Sequence, residues 1–176
     1  MAINPIAKAG DTSSALPKPH VPHLGETVRV GPYEVMAAGT MYDLDDRFDD
    51  PNVVLVPLTD TFPGLIGQEY HIVYAALPDY GGVPDNWGEF LKENILPRLA
   101  SGQKLLAFCV GSHGRTGVFL ASLIALLESS EETPDPIVAA RQRHCEKAVE
   151  SFAQAQGVFA LRGQPVPAHY RKSLHR

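Results

Sequence analysis

The chain has 176 residues, of which 44% are hydrophobic and 20% are charged, and its formal net charge is −5 at pH 7. That length is enough for one domain with a buried core, and the composition excludes a largely disordered chain. The negative net charge excludes a broad basic surface for nucleic acid or anionic lipid, so an anion site would have to be built from a few local donors.

The cysteine content and the hydropathy pattern indicate the cellular setting. Cys109 and Cys145 are too few for a disulfide framework and do not have the spacing of a metal-binding pair. No secretory signal is visible, and no apolar run reaches the ~20 residues of a membrane span. We therefore expect a cytoplasmic protein, a monomer, with neither nucleic acid nor a membrane as a partner.

The first part of the chain predicts an arm followed by strands. Residues 1–25 are rich in Pro, Ala, Ser and Lys without periodicity, which predicts a flexible or surface-draped arm, and residues 26–176 are expected to form one domain. Short β-branched or apolar runs predict strands at residues 28–30, 33–36, 53–56, 70–77 and 104–108.

Helical spacing of apolar residues dominates the second half of the chain. Asp85 is placed as the N-cap of a first helix, which Pro97 should kink or end. Residues 114–128 predict a buried helix. Thr133–Pro134 has the pattern of a helix start, with the Thr133 hydroxyl as the cap and the proline in the first turn, and residues 136–161 predict one or two amphipathic helices. This order of elements predicts an α/β fold with a central mixed sheet flanked by helices.

The most informative segment runs from Lys104 to Gly117, where a predicted strand leads into Cys109, a glycine-bearing loop follows, and a helix begins near Arg115. Backbone N–H groups in such a loop can converge on an anion, and the start of a helix adds further donors. These donors and Arg115 favour the thiolate form of Cys109. The guanidinium also presents a planar fork that matches two phosphate oxygens. The segment therefore predicts a phosphate site beside a nucleophilic cysteine.

The Cys-x5-Arg-Thr-Gly pattern at residues 109–117 resembles the active-site loop of the protein tyrosine phosphatase superfamily, closest to its dual-specificity branch. The resemblance implies that Cys109 is the nucleophile of a phosphocysteine intermediate, that Arg115 holds the phosphoryl group, and that Thr116 supports the thiolate. It also implies phosphate contacts along the whole loop, at Val110, Gly111, Ser112, His113, Gly114 and Arg115. The implied activity is hydrolysis of phosphotyrosine, phosphoserine or phosphothreonine, in a phosphorylated protein or a small phosphoester, with no metal and no other cofactor.

The same family carries a general acid on a separate loop upstream of the cysteine, because an alkoxide or phenoxide leaves poorly without a proton. Asp79 follows Leu77–Pro78 and lies 30 residues before Cys109. Gly81–Gly82 come next and would allow this loop to close over substrate. Asp79 is therefore the preferred general acid, and Asp85 is the alternative.

A third resemblance lies downstream of the loop. Residues 138–154 are similar to a late helical segment of the family, which in some members ends in a glutamine that positions the hydrolytic water. Gln154 matches that register and is the candidate for this role, and Gln156 is the alternative.

Two positions depart from the family pattern. Phe108 stands where members usually have histidine, and Ser112 stands where they usually have glycine. They keep open a second hypothesis, a catalytically weak module that binds phosphorylated partners, and a third is a phosphatase of a non-protein phosphoester such as a phosphoinositide. The His113 side chain could contact substrate or face solvent, and Cys145 is expected to be an unreactive helix thiol.

Overall fold

The computed structural model describes residues 16–41, 50–60 and 71–175, and its centre is a mixed four-stranded sheet. The strands are β1 (Leu24–Val30), β2 (Tyr33–Gly39), β3 (Val53–Pro57) and β4 (Lys104–Cys109), in the order β1-β2-β4-β3. β1 and β2 are antiparallel, and β4 runs parallel to both β2 and β3. The apolar run that forms β4 is thus paired on both sides, as expected for a buried strand with little alternation.

The β1–β2 hairpin turns at Gly31, which has a φ of 57°. A side chain is disfavoured there for two reasons, since this φ suits glycine and a Cβ would lie 2.7 Å from the Cβ of Leu127. The Gly31 N–H donates to Glu128 Oε1 at 2.9 Å, which connects the hairpin to the end of a helix.

The strand predicted at residues 70–77 is an extended segment along the free edge of β3, and Tyr70 lies outside the described residues. Ile72 pairs with Leu55 in parallel, and the N–H of Ala75 donates to the carbonyl of Pro57 at 3.0 Å. Pro57 has no N–H to return, so the ladder is interrupted there. The pairing still delivers the chain to Asp79 at the same edge of the sheet as the end of β4.

Six helices follow in the described residues. They are α1 (Trp87–Phe90), α2 (Leu96–Ala100), α3 (Gly114–Leu127), α4 (Pro136–Arg143), α5 (Phe152–Ala160) and α6 (Tyr170–Ser173). The prediction of a buried helix at 114–128 is confirmed by α3, and the segment predicted at 136–161 forms two helices, α4 and α5. No helix in the described part of the chain has the length and hydropathy needed to cross a membrane.

The first helical region differs from the prediction in two ways. The helix begins after Asn86, whose side chain makes no capping bond, so the expectation that Asp85 is the N-cap was wrong. Pro97 does not end the helix, which continues into α2 after a π-helical turn at Leu91–Ile95. The other predicted effect, a kink at Pro97, stays a prediction. A π turn changes the hydrogen-bond register where proline lacks an N–H, and so accommodates the residue.

The start of α4 was also predicted two residues too early. The cap is Asp135, whose side chain accepts hydrogen bonds from the N–H groups of Ile137 (2.9 Å) and Val138 (3.1 Å), with Pro136 in the first turn. Thr133, the predicted cap, instead donates its hydroxyl to Glu128 Oε2. Thr133–Pro134 and Asp135–Pro136 both have the pattern of a helix start, and in the structure the Asp135 carboxylate caps the helix.

The main core lies between the sheet and the helices. Leu105, Ala107 and Cys109 of β4 share it with buried residues of α3, whereas Leu106 and Phe108 belong to a smaller cluster on the opposite face. The alternation follows from the pleat of a strand. The predicted α/β fold with a central mixed sheet flanked by helices is confirmed, and the pleat turns Cys109 toward the start of α3.

The N-terminal boundary is described only from residue 16 onward. β1 begins at Leu24, two residues before the predicted start of the domain at residue 26. The peptide around Lys18 lies against the C-terminal half of the chain, since its N–H donates to the carbonyl of Arg141 (2.9 Å) and its carbonyl accepts from the N–H of Glu146 (2.8 Å).

Candidate active site

Cys109 is the last residue of the central strand β4. Gly39 is its partner in β2, and the N–H of Thr40 donates to its carbonyl oxygen at 2.9 Å. The residue is 3% exposed, and Thr116 Oγ1 donates a hydrogen bond to its Sγ at 3.1 Å. A donor at this distance stabilises a thiolate more than a thiol. The structure therefore brings together two of the residues singled out by the motif.

The loop after Cys109 is held by contacts from a distant segment. Ser112, at the position where the family usually has glycine, has a φ of 60° and is fully buried. His144 Nε2 donates to the Ser112 carbonyl at 2.7 Å and lies 3.4 Å from its hydroxyl. The loop thus adopts the left-handed backbone that glycine would allow, and His144 fixes it in that conformation.

The first turn of α3 packs closely against the segment that precedes α5. Gly117 lies against the residues before α5, where an added Cβ would be 2.5 Å from the N of Val149. Its N–H donates to the carbonyl of His113 at 2.7 Å, which closes the first turn of α3. The glycine of the Arg-Thr-Gly pattern is therefore required here by packing.

Arg115 and Asp79 meet beside the loop. Arg115 Nε lies 3.5 Å from Asp79 Oδ1, and the two side chains are 11% and 60% exposed. The guanidinium is thus held near the loop by a carboxylate that remains accessible to solvent and to a ligand. Asp85 lies exposed just before α1 and forms no ion pair with Arg115 among the described residues. Geometry favours Asp79 over Asp85, and its role as the acid stays a prediction.

Gln154 is buried behind the loop, and its side-chain oxygen makes two hydrogen bonds. Its Oε1 accepts hydrogen bonds from the N–H groups of Glu150 (2.8 Å) and Ser151 (3.2 Å), which completes a capping box at the start of α5. Its Nε2 is buried without a hydrogen-bond partner in the described structure, and a Cβ at Gly114 would lie 3.0 Å from it. The free amide thus faces the start of α3, whereas Gln156 is exposed. Positioning of water by Gln154 remains a prediction.

Glu150 was missed by the sequence analysis. Its carboxylate lies against the start of α3, since a Cβ at Gly114 would be 2.5 Å from its Oε2. Burial raises the pKa of the Glu150 carboxyl, the nearby backbone of Gly114 opposes that shift, and the charge of Asp79 adds to it. Nothing in the local sequence marks this residue, because its place beside the loop depends on how α5 packs against α3.

The side chain of His113 is half-buried and contacts the N-terminal peptide, because its Nε2 lies 3.1 Å from His20 Nδ1. Burial, and then the nearby charges of His20 and His23, lower the pKa of His113 to about 4. Contact of His113 with a phosphate stays a prediction. Cys145 is buried just beyond the end of α4 rather than within a helix, and its Sγ lies 3.8 Å from His20 Nδ1.

Comparison with known proteins assigns the fold. The structure superimposes on Tk-PTP in its active form with a TM-score of 0.63 and 19% identity, over 79% of this chain and 97% of that one. It matches a kinase associated phosphatase (KAP) carrying a catalytic-cysteine-to-serine substitution with a TM-score of 0.62 and 12% identity, over 82% and 96%. A mouse protein named as a dual specificity phosphatase, complexed with zinc tungstate, gives a TM-score of 0.58 with 12% identity, over 88% of this chain and 93% of that one. The chain therefore has the fold of these phosphatases, a mixed sheet flanked by helices.

The relatives found by sequence comparison match about half of this chain. Two uncharacterized proteins of Methanocaldococcus jannaschii, MJECL20 and MJ0215, are each 30% identical to this chain over 87 residues, or 49% of its length. Those matches cover 56% and 52% of the two relatives, so the chain spans about half the length of the curated relatives it matches. No family model matches the chain.

Proposed function

We propose that the protein is a cysteine-dependent phosphatase that hydrolyses phosphoesters at the loop between β4 and α3. The observation that carries this proposal is the Thr116 hydroxyl donating to the Cys109 sulfur at 3.1 Å, in a loop flanked by the Arg115–Asp79 pair. A buried structural cysteine needs neither a donor aimed at its sulfur nor an arginine and a carboxylate beside it.

The reaction proceeds in two steps. The Cys109 thiolate attacks phosphorus, so that an S–P bond forms as the P–O bond to the leaving group breaks. Arg115 and the loop N–H groups bind the phosphoryl oxygens and stabilise the charge of the transition state. Asp79 gives its proton to the departing oxygen. The products of this step are the free alcohol or phenol and a phosphocysteine.

Water then releases the phosphate. It attacks phosphorus, gives a proton to the Asp79 carboxylate, and the S–P bond breaks to regenerate the thiolate, which Thr116 stabilises. The unpaired Nε2 of Gln154 faces the start of α3, where it can donate to the oxygen of this water or of the phosphate. No metal takes part in either step. We propose protein phosphotyrosine and phosphoserine/threonine, or a small phosphoester, as the substrate class, and a cytoplasmic location consistent with two free cysteines.

The test is turnover of a generic aryl phosphate by the wild-type protein and by Cys109→Ser. We expect turnover by the wild type and its loss in the variant, with phosphate binding retained in both, since serine leaves the loop N–H groups and Arg115 in place. Binding is measured separately as the rise in Tm on adding inorganic phosphate or tungstate. Equal turnover in the two proteins would refute catalysis through Cys109.

The second candidate, a module that binds phosphorylated partners with weak turnover, is favoured by one observation. The Glu150 carboxylate lies against Gly114, where an added Cβ would be 2.5 Å from its Oε2, and the Gly114 N–H is one of the donors expected to bind phosphate. A carboxylate there competes with the phosphoryl group and adds negative charge beside it. Tungstate binding by a wild-type protein that turns over no aryl phosphate would support this candidate.

A further inference from the structure

A cluster of metal-binding side chains lies beside the phosphate loop and is not used by the proposed reaction. His20, His23, His113 and Cys145 each offer one ligand atom, and these atoms all lie within 4.8 Å of one another. His23 and Cys145 are buried, and His20 and His113 are half-buried. The four residues come from three separate segments, which are the N-terminal peptide, the phosphate loop and the chain after α4. We propose that this cluster binds one zinc ion in a four-coordinate structural site.

The spacing of the ligand atoms fits zinc. In a tetrahedral site with Zn–N of about 2.0 Å and Zn–S of about 2.3 Å, two nitrogens lie about 3.3 Å apart, and a nitrogen and a sulfur about 3.6 Å apart. The observed separations are 3.1 Å between His113 Nε2 and His20 Nδ1, and 3.8 Å between His20 Nδ1 and Cys145 Sγ. Small shifts of the side chains would therefore complete the coordination. Three imidazoles and a thiolate form a ligand set typical of zinc rather than of magnesium or calcium.

Outer hydrogen bonds hold the ligands in the orientation that a metal needs. His23 Nδ1 pairs with the carboxylate of Glu26, and a ring nitrogen of His23 lies within 4.8 Å of Cys145 Sγ. A carboxylate on the far nitrogen of a ligating histidine fixes its orientation and raises its basicity. Glu26 Oε1 also lies 3.4 Å from His144 Nδ1, and His144 donates to Ser112. The same carboxylate thus supports both the proposed zinc site and the residue that anchors the phosphate loop.

The geometry of the cluster is the basis of the proposed site, since its four ligand atoms lie within 4.8 Å of one another. Zinc would displace the thiol proton of Cys145 and bind the resulting thiolate. It would also connect the N-terminal peptide to the phosphate loop through His20 and His113. The expected role of the zinc ion is to hold the phosphate loop and the N-terminal peptide in place, and not to act on the phosphoryl group.

The test uses the full chain, purified without an added histidine tag, stripped with a chelator and titrated first with Co²⁺ and then with Zn²⁺. We expect one Co²⁺ per chain, with the visible bands of a tetrahedral site and a thiolate-to-cobalt charge-transfer band, and we expect Zn²⁺ to displace it. The charge-transfer band should disappear in Cys145→Ser and remain in Cys109→Ser. His20→Ala should weaken cobalt binding at least tenfold, and the matched control His71→Ala, an exposed histidine outside the cluster, should leave it unchanged.

Three outcomes would overturn the proposal. They are the absence of stoichiometric cobalt or zinc binding, a charge-transfer band that depends on Cys109 instead of Cys145, and equal binding by His20→Ala and His71→Ala. His20→Ala decides the matter if Cys145→Ser fails to fold, because His20 lies on the partly exposed N-terminal peptide. The readout is metal binding and requires no turnover. The zinc site and the phosphatase activity can therefore fail independently of each other.

Discussion

Arg115 and Asp79 pair across 3.5 Å while leaving the carboxylate largely open to solvent. The arrangement suits two groups that must act on the same phosphoester, one on the phosphoryl oxygens and the other on the leaving oxygen. The Nε of Arg115, the atom that faces Asp79, is buried and makes no hydrogen bond in the described structure, so the pair is held by charge at this distance. At the residue scale, the proposed chemistry therefore depends on the shape of arginine and on the protonation of one aspartate.

Replacing Arg115 by lysine should reduce kcat/KM for an aryl phosphate by about 10²–10³-fold, because a single ammonium cannot replace a bidentate fork in the transition state. Steady-state kinetics measure the effect. Arg98→Lys in α2 is the matched control, since Arg98 contacts Gln103 and lies outside the loop. Activity of Arg115→Lys near that of the control would show that Arg115 does not hold the phosphate.

Replacing Asp79 by asparagine should slow poor leaving groups far more than good ones, because a stabilised phenolate departs almost without a proton. The measurement is the dependence of kcat/KM on leaving-group pKa across a series of aryl phosphates, which should become steeper in Asp79→Asn. Asp85→Asn is the matched control, and its dependence should equal that of the wild type. A steeper dependence in Asp85→Asn, with none in Asp79→Asn, would transfer the role to Asp85.

At the scale of elements, the phosphate loop is a strand–turn–helix unit whose shape is fixed from outside. The strained residue Ser112 is held by His144, which follows α4, and Gly117 lies against Val149, which precedes α5. The connection between α4 and α5 thus supports both the loop and the start of α3. The hydrogen bond from His144 explains how Ser112 can keep a left-handed backbone conformation that normally favours glycine.

Ser112→Gly should stabilise the protein by about 1 kcal/mol, because glycine adopts a φ of 60° without the cost that a side chain incurs. The hydroxyl contact that would be lost, 3.4 Å from His144 Nε2, is long for a hydrogen bond. The expected rise in Tm of a few degrees is measurable by thermal unfolding. A lower Tm in Ser112→Gly would mean that the serine side chain contributes more than its backbone strain costs.

At the scale of the whole molecule, Glu128 connects three parts of the fold. Its carboxylate accepts hydrogen bonds from Gly31 in the β1–β2 turn, from Thr133 and from Arg143 in α4. Burial alone would raise the pKa of this carboxyl, but the bonds from Arg143, Thr133 and Gly31 outweigh it and lower the pKa to about 2. The ionised form is therefore the one that stabilises the native state.

This pKa predicts how acid affects stability. The contribution of Glu128 is fully present above its unfolded pKa near 4.5 and is lost as the pH falls toward about 2. The Tm difference between the wild type and Glu128→Gln should therefore be largest near neutral pH and shrink across that interval. A difference that stays constant from pH 6 to pH 3 would show that Glu128 does not contribute through its charge.

The sequence predicted those parts of the site that lie close together in the chain. Cys109, Arg115 and Thr116 belong to one turn between a strand and a helix, so local spacing is enough to place them. Glu150 was not predictable, because its position depends on the packing of α5 against α3. The same holds for the cluster of His20, His23, His113 and Cys145, which tertiary contacts between distant segments bring together.

The fold shows the same division between local and tertiary information. The apolar runs predicted the four strands of the sheet, and the helix at 114–128 follows from an almost continuous apolar segment. The π turn before Pro97 and the cap at Asp135 depend on hydrogen-bond geometry that the sequence does not reveal. Asp85 and Thr133 had equally plausible helix-start patterns, and neither residue is the cap. Start and stop signals therefore predicted that helices exist more reliably than they predicted where the helices begin.

The most direct test of the central proposal is to detect the phosphocysteine. The protein is mixed rapidly with an aryl phosphate, quenched in acid and digested, and the mass of the peptide that contains Cys109 is measured, with Cys109→Ser treated in parallel. Gln154→Ala is included because slower attack by water should increase the fraction of phosphorylated enzyme. The account predicts a phosphoryl group on Cys109 in the wild type, more of it in Gln154→Ala, and none in Cys109→Ser. Steady turnover with no phosphoryl group on Cys109, or with the group on another residue, would contradict it.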